Sequence, residues 1–366
     1  MNIVIIRLFY IFFILLLFEL SLFTSYKVLN DKILFSKTFE IKKFNLLSFE
    51  KFYHKELGWN ELGFRENRKK INVISCLGDS FTFGDEVSNK ESWPWLLNSI
   101  VNGNVQNFGV RGYGTDQSLL KLEQLIKNDN TKLYILSFIS KNIARNLSVY
   151  RPFYKIKVKY HYTKPRFIKT TNPSEYKLLP NPIKSSEDGY KLFDNKFLER
   201  IGLNDFWYKH QDPLPSTFPY SKLAFKSKFW QKIYKLITEP NNQLLKFNLN
   251  SDSLWKNKEA LDLQNFLVNK FFNLTADYKK NALIMHLPTK TEVLQFQKNG
   301  TIPLAILETK KECKLHQYSC LFPLLDISEF KNTNPSKLYV KYHFSKKSNL
   351  LIANYLKEKL NMFSQK

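Results

Sequence analysis

The stretch Val73-Ile74-Ser75-Cys76-Leu77-Gly78-Asp79-Ser80-Phe81-Thr82-Phe83-Gly84 leaves this chain few ways to fold. The run from Ile71 to Leu77 is apolar and rich in β-branched residues, the pattern of a buried strand. It stops at Gly-Asp-Ser-Phe-Thr, where small and capping residues suit a sharp turn into a helix N-terminus. A serine at that turn projects from the carboxyl end of a strand, beside backbone N–H groups with no helical partner. Open α/β sheets place their sites there, and negative charge is stabilised there. Two readings of Ser80 follow: a helix cap, or a nucleophile. The turn is not the Gly-x-Ser-x-Gly elbow of α/β-hydrolases, because Thr82 stands in the second glycine's place.

A chain of 366 residues, 43% hydrophobic, accommodates one large α/β domain with an insertion, or two domains. The net charge of +24 invites a nucleic-acid or anionic-membrane partner. Arginine, the residue of bidentate phosphate and base contacts, is scarce, and the lysines are scattered among Asn, Phe, Ile and Tyr. No nucleic-acid partner is expected on that composition, whereas a basic face toward anionic lipid or polysaccharide is compatible with it. Of the three cysteines, Cys76 lies inside the first strand as a small core residue. Cys313 and Cys320 are close enough for a local disulfide if the domain lies outside the cytoplasm. The six histidines are dispersed and no Cys/His cluster has zinc-ligand spacing, so neither a metal nor another cofactor is expected.

Residues 3–23 form an apolar run broken only by Arg7 and Glu19, about long enough to span a bilayer. No small-x-small cleavage site follows, so the run is expected to be an uncleaved signal anchor over residues 1–26. Lys27, Lys32 and Lys37 follow the run and only Arg7 precedes its uninterrupted core, Leu8–Phe18, a charge balance that leans against export, although large domains translocate largely regardless of charge. Residues 27–70 read as a lysine-rich juxtamembrane connection ending in Gly58-Trp59-Asn60-Glu61-Leu62-Gly63-Phe64-Arg65.

After the serine turn, Trp93-Pro94-Trp95 opens an amphipathic helix, with proline in its first turn. A strand is expected over Asn104–Phe108, then the glycine-rich loop Gly109-Val110-Arg111-Gly112-Tyr113-Gly114, which lets backbone approach a ligand closely. Residues 116–127 read as a helix and Lys132–Ile139 as a third buried strand, ending in Ser140-Lys141-Asn142. Within residues 151–257, extended stretches Phe153–Tyr162 and Pro165–Leu179 suggest a β-hairpin insertion over the site, followed by short helices and loops. Helical periodicity returns over 258–278. Ala282–Pro288 reads as a strand carrying His286, a core or strand-end histidine. Helices are expected around 290–297 and 303–311, and a last strand over Ser319–Leu325. His343 precedes a C-terminal amphipathic helix that contains Leu351-Ile352-Ala353.

Gly78-Asp79-Ser80-Phe81-Thr82-Phe83-Gly84, Asn107-Phe108-Gly109-Val110-Arg111-Gly112, and His343 ahead of Leu351-Ile352-Ala353 resemble the first, second and fifth blocks of the SGNH, or GDSL, hydrolase family. The Asn60 to Arg65 stretch resembles a feature of that family's membrane-anchored members. The resemblance covers residues 60–146 and 280–360. It implies a flavodoxin-like three-layer α/β/α sandwich with a parallel sheet, its core formed by residues 71–150 and 258–366. It also implies Ser80 as nucleophile, His343 as general base, and an oxyanion hole from the N–H groups of Ser80 and Gly112, with Asp79 and Thr82 in support. The third oxyanion donor is open between Asn142 and Lys141, because the family's Gly-x-Asn-Asp block is altered here. The family's triad acid is missing: Val340 stands where it belongs, and Asp326, Glu329 or a backbone carbonyl are the candidates to orient His343.

The function implied is ester hydrolysis or O-acyl transfer by an exported, membrane-anchored domain on the periplasmic side, with acetylated cell-envelope carbohydrate as substrate. The altered blocks leave an alternative: a catalytically degenerate module that binds glycan within an envelope assembly.

Overall fold

The structure is a computed structural model that describes residues 3–30, 53–59, 73–101, 104–153, 162–172, 175–185, 187–210, 219–225 and 251–364. The Asn60 to Arg65 stretch and the interior of the 153–162 stretch lie outside them. The chain divides into two compact units: Met1–Phe49, Ser148–Tyr162 and Ser186–Asn248 form one, and Glu50–Leu147, Thr163–Ser185 and Leu249–Lys366 form the other.

The second, larger unit is built on five strands: β1 (Ile74–Gly78), β2 (Val105–Gly109), β3 (Leu133–Phe138), β4 (Asn281–His286) and β5 (Cys320–Leu321). Every pairing among them is parallel and their order is 2-1-3-4-5, the doubly wound flavodoxin-like arrangement. Parallel neighbours need crossovers, and helices supply them: α2 (Trp93–Ile100), α3 (Thr115–Leu125), α4 (Lys258–Asp277), α5 (Lys290–Asn299) and α6 (Leu304–Leu315), while α7 (Lys346–Ser364) follows the last strand and packs on α2. In the numbering used here, α1 is the N-terminal helix Ile3–Asn30 of the other unit.

Side chains alternate across the sheet. Ile74, Cys76, Ile135, Leu283 and Met285 pack into one core with Trp93 and Leu97 of α2 and Ile352, Ala353 and Leu356 of α7. The opposite face carries Leu77, Leu136 and Ile284, covered by α3 and α4 through Leu119, Leu122, Leu263, Leu267 and Phe271. Each buried Leu or Ile contributes roughly 2 kcal/mol by leaving water, so the two apolar faces hold the layers together. Burial pushes the Cys76 thiol well up, as suits an inert core residue.

Local sequence sets the helix ends. The Asn257 side chain accepts from the Ala260 N–H to start α4, Thr289 and Glu292 form a reciprocal cap at the start of α5, and Pro94 sits in the first turn of α2. Asn349 Oδ1 accepts from the Trp93 N–H at 3.1 Å, fastening the start of α7 to the start of α2. The expected pair Cys313 and Cys320 forms a disulfide, joining α6 to β5.

Two expectations need correction. The last strand is only Cys320–Leu321, because Pro323 opens a one-turn helix through Asp326. The hairpin lies wholly within the second extended stretch, Arg166–Lys169 pairing antiparallel with Tyr176–Leu179. It packs on α4 within the larger unit: Tyr176 stacks on Phe266 at 4.3 Å, and Lys169 reaches Asp262 at 2.7 Å.

In the smaller unit, the Asp205 carboxylate accepts from the Val149 and Tyr150 N–H groups and caps the turn Phe206–Lys209. Its helix α1 is long and apolar enough over Ile6–Ser25 to cross a membrane, by length and composition. Leu8 through Phe18 leave their side chains exposed.

Candidate active site

β1, β2 and β3 end in register, Gly78 beside Gly109 and Leu77 beside both Phe108 and Leu136. The three loops leaving their carboxyl ends therefore start side by side. β1 turns at once into the helical turn Ser80–Phe83, whose cap is Asp79: its Oδ1 accepts from the Phe81 N–H at 2.9 Å. Capping thus falls to Asp79 and leaves the Ser80 hydroxyl for another partner. A side chain at Gly78 would collide with Thr82 Oγ1 and the Ser137 carbonyl, so the turn closes only around glycine.

The neighbouring loop locks onto this turn. Asn107 Nδ2 donates to the Thr82 carbonyl at 3.0 Å, and the Val110 N–H donates to the Gly78 carbonyl at 3.0 Å. The Thr82 hydroxyl also pairs with the Ser137 hydroxyl of β3. Thr82 supports the turn in this way, and Ser80 does so only through its carbonyl, which accepts from the Gly84 and Asp85 N–H groups, leaving its hydroxyl out of the turn.

The other half of the site comes from the far end of the chain. The Tyr339 hydroxyl donates to the Pro288 carbonyl just beyond β4, at 2.9 Å, and Tyr339 bridges Phe344, so residues 340–343 form a tight turn. His343 packs against Phe81 at 5.0 Å between ring centroids and brings Nε2 to 2.9 Å from Ser80 Oγ. The two residues are 263 positions apart in sequence.

Behind His343 stands Glu86. Its Oε1 lies 3.3 Å from His343 Nδ1, close enough for charge pairing but off the line of the N–H, so no linear hydrogen bond forms. Its Oε2 accepts from the backbone N–H groups of Lys341, Tyr342 and His343 at 2.9, 2.9 and 3.1 Å. Such converging amides make an anion-binding nest. Burial raises the Glu86 pKa, but these hydrogen bonds outweigh it and hold the carboxyl at about 2. Glu86 itself adopts a left-handed φ of 68°, uncommon for a side-chain-bearing residue.

The sequence candidates for this position lie elsewhere. Asp326 accepts from the Tyr355 hydroxyl, and Glu329 pairs with Ser328 at the surface. Sequence reasoning missed Glu86 because it sought an acid just before the histidine. The only signal was a carboxylate pair, Asp85-Glu86, directly after the serine turn.

Around Ser80 three donors are unspent. Gly112 takes a left-handed φ of 80°, and neither its N–H nor that of Ser80 meets an acceptor among the described residues. The Asn142 side chain is fully buried and its Nδ2 has no partner among them. Lys141, the other candidate donor, is exposed at the start of the turn Asn142–Asn146.

One residue the sequence reading passed over ties these loops together. Arg145 Nη1 donates to Asp79 Oδ2 at 2.7 Å, to the Tyr113 carbonyl at 2.7 Å and to Asn142 Oδ1 at 3.2 Å. Those acceptors belong to the serine turn, the Gly112 loop and the Asn142 turn respectively.

His286 takes no part in the site. It is fully buried at the end of β4, 3.0 Å from the Ser140 hydroxyl, and burial drives its pKa down to about 3. Among the described residues no cluster of His, Cys, Asp and Glu could hold a metal ion.

No protein-family model and no curated protein matches the chain. Among solved structures it is similar to a member of the lipolytic protein G-D-S-L family from Veillonella parvula DSM 2008, at 12% identity over 78% of this chain and 96% of that one, with a TM-score of 0.35. It is also similar to a G-D-S-L family structure from Desulfitobacterium hafniense DCB-2, at 12% identity over 78% and 99%, with a TM-score of 0.37. Likeness of this order leaves the reading of function to the geometry of the site.

Proposed function

We propose that this chain is a serine-dependent ester hydrolase or O-acyltransferase of SGNH type. The observation that carries the reading is the line Ser80 Oγ, His343 Nε2, His343 Nδ1, Glu86 Oε1, with spacings of 2.9 and 3.3 Å outside the ring. A hydroxyl held by a base that is itself faced by a carboxylate is the arrangement that makes serine nucleophilic.

In the reaction, Ser80 Oγ attacks the ester carbonyl carbon as its proton passes to His343 Nε2. Glu86 stays ionised and stabilises the imidazolium through its charge. The carbonyl oxygen becomes an oxyanion and receives the N–H groups of Ser80 and Gly112 and the Asn142 Nδ2 amide. Collapse breaks the ester C–O bond, and His343 returns its proton to the leaving alkoxide. Water or a sugar hydroxyl, deprotonated by His343, then attacks the acyl-serine and restores Ser80.

An apolar N-terminal helix and a disulfide in the larger unit both support an anchored domain outside the cytoplasm, since local disulfides persist in oxidising compartments. O-acetylated carbohydrate of the envelope is the substrate class that suits this placement. The glycan-binding, non-catalytic alternative drew on the absent acid and the altered third block, and a Glu86 carboxylate facing His343 counts against the first of these.

The test uses the full chain in detergent micelles with an aryl acetate and with an O-acetylated polysaccharide, beside Ser80→Ala and His343→Ala. Acetate release from both substrates, lost in both variants, supports the reading. Binding of the polysaccharide with no acetate release or transfer, equal in wild type and variants, favours the non-catalytic module.

A further inference from the structure

We infer that Arg145 is the positioning residue of the oxyanion hole, acting by fixing which way the Asn142 amide faces; this rests on the hydrolase reading above. Guanidinium nitrogen is a donor only, so whatever lies against Arg145 Nη1 must be an acceptor. At 3.2 Å that group is Asn142 Oδ1, and the amide is thereby turned so that Nδ2 points away from the arginine. Nδ2 is buried and has no other partner among the described residues. A buried amide donor left unpaired in the resting protein costs free energy, and a state that supplies its acceptor is favoured by recovering that cost. The developing oxyanion is that state.

The same nitrogen spans the site. Its two hydrogens are shared among Asp79, next to Ser80, Tyr113, next to Gly112, and Asn142 itself. The three donors to the oxyanion therefore sit on loops tied to one atom. Asp79 is fully buried and Arg145 keeps 13% of its side-chain surface, so this pair is largely shielded from solvent. Asp79, already spent on the Phe81 N–H through Oδ1, holds the arginine through Oδ2. The carboxylate sets the guanidinium, and the guanidinium sets the amide. Arg145 has no contact with the reacting atoms in this scheme.

The experiment is a double-mutant cycle on the full chain, with aryl acetate kinetics and thermal melts of each variant. Arg145→Ala is expected to lower kcat about 10–100-fold and to change KM little, the signature of an interaction realised in the transition state. Asn142→Ala is expected to lower kcat about 100-fold. If Arg145 acts through Asn142, the double variant falls within about threefold of Asn142→Ala alone. Arg145→Lys, which supplies a donor nitrogen, recovers much of the loss. Losses that multiply in the double variant overturn the inference, as does a loss in Arg145→Ala explained by its unfolded fraction.

Asn142→Asp keeps the test open should Arg145→Ala fail to fold. Arg145 then holds a carboxylate, no N–H faces the oxyanion, and kcat falls as far as in Asn142→Ala without a lowered melting temperature. Wild-type activity in Asn142→Asp contradicts the inference. Should the folded wild type be inert on every ester, the hydrolase reading fails on its own account. The Asn142 side-chain amide resonances then decide Arg145: a shift in Arg145→Lys supports the placement, and unchanged resonances overturn it.

Discussion

Glu86 and His343 meet across 257 residues of chain, the glutamate accepting from the histidine's own backbone N–H while it faces the imidazole Nδ1. One carboxylate oxygen therefore fixes the loop that carries the base, and the other faces the base itself. Glu86→Gln separates these duties, since an amide oxygen still accepts from the three N–H groups but carries no charge. The expected outcome is a kcat lowered on the order of 100-fold with KM nearly unchanged. Steady-state kinetics with an aryl acetate check it, and activity within threefold of wild type contradicts the role.

The depressed Glu86 pKa also gives the fold an acid limit. The folded carboxyl titrates at about 2 against an ordinary value of 4.5. Its stabilisation is full above pH 4.5 and is lost as the pH falls toward 2, because the unfolded chain takes up the proton first. With one edge of the carboxylate meeting solvent, the contribution is on the order of 1–2 kcal/mol. Denaturant unfolding from pH 6 to pH 3 should show wild type losing more stability than Glu86→Gln over that window.

His286 acts over a higher window. Buried between Phe138 and Trp255, with Ser140 and beyond it Glu292 as polar neighbours, it titrates at about 3 instead of 6.5. The unfolded chain binds its proton below pH 6.5 and the folded protein refuses it, so stability declines from pH 6.5 toward pH 3. The slope is up to about 1.4 kcal/mol per pH unit. His286→Phe should flatten that decline, as read from unfolding midpoints at pH 7, 6 and 5. Parallel slopes in the two proteins would refute this.

The disulfide makes a separate claim. Joining Cys313 to Cys320 closes a short loop at a sequence separation of 7, for which chain entropy gives about 2–3 kcal/mol. Cys313→Ser with Cys320→Ser, or reduction of the wild type, should lower the melting temperature of the full chain by a few degrees. Ser80-dependent activity below that temperature should persist, because the bridge lies at the β5 edge of the sheet, away from the serine turn at β1.

Much of this architecture was legible from residues that state their own geometry. The buried run into Gly78-Asp79-Ser80 announced a strand, a turn and a helix start, and the structure has all three. The periodicity of 258–278 became α4, and the glycine-rich 109–114 loop became the turn that places Gly112. What stayed hidden depends on contact across the chain. Nothing local marks Glu86 as the partner of His343, since the nest that holds it belongs to residues 341–343. Arg145 was hidden for the same reason: its three acceptors come from three strand ends that only the sheet brings together. The last strand was read too long because Pro323, which opens a helical turn, falls inside the apolar stretch Ser319–Leu325.

The most direct test of the central claim, that His343 activates Ser80, is the rate of phosphonylation by a fluorophosphonate, followed by mass spectrometry of the full chain and its peptides. The expected result is one adduct, on Ser80, absent in Ser80→Ala, slowed at least about 100-fold in His343→Ala, and suppressed by an ester substrate. A folded wild type that takes no adduct, or that labels at Ser80 equally fast without His343, would contradict it.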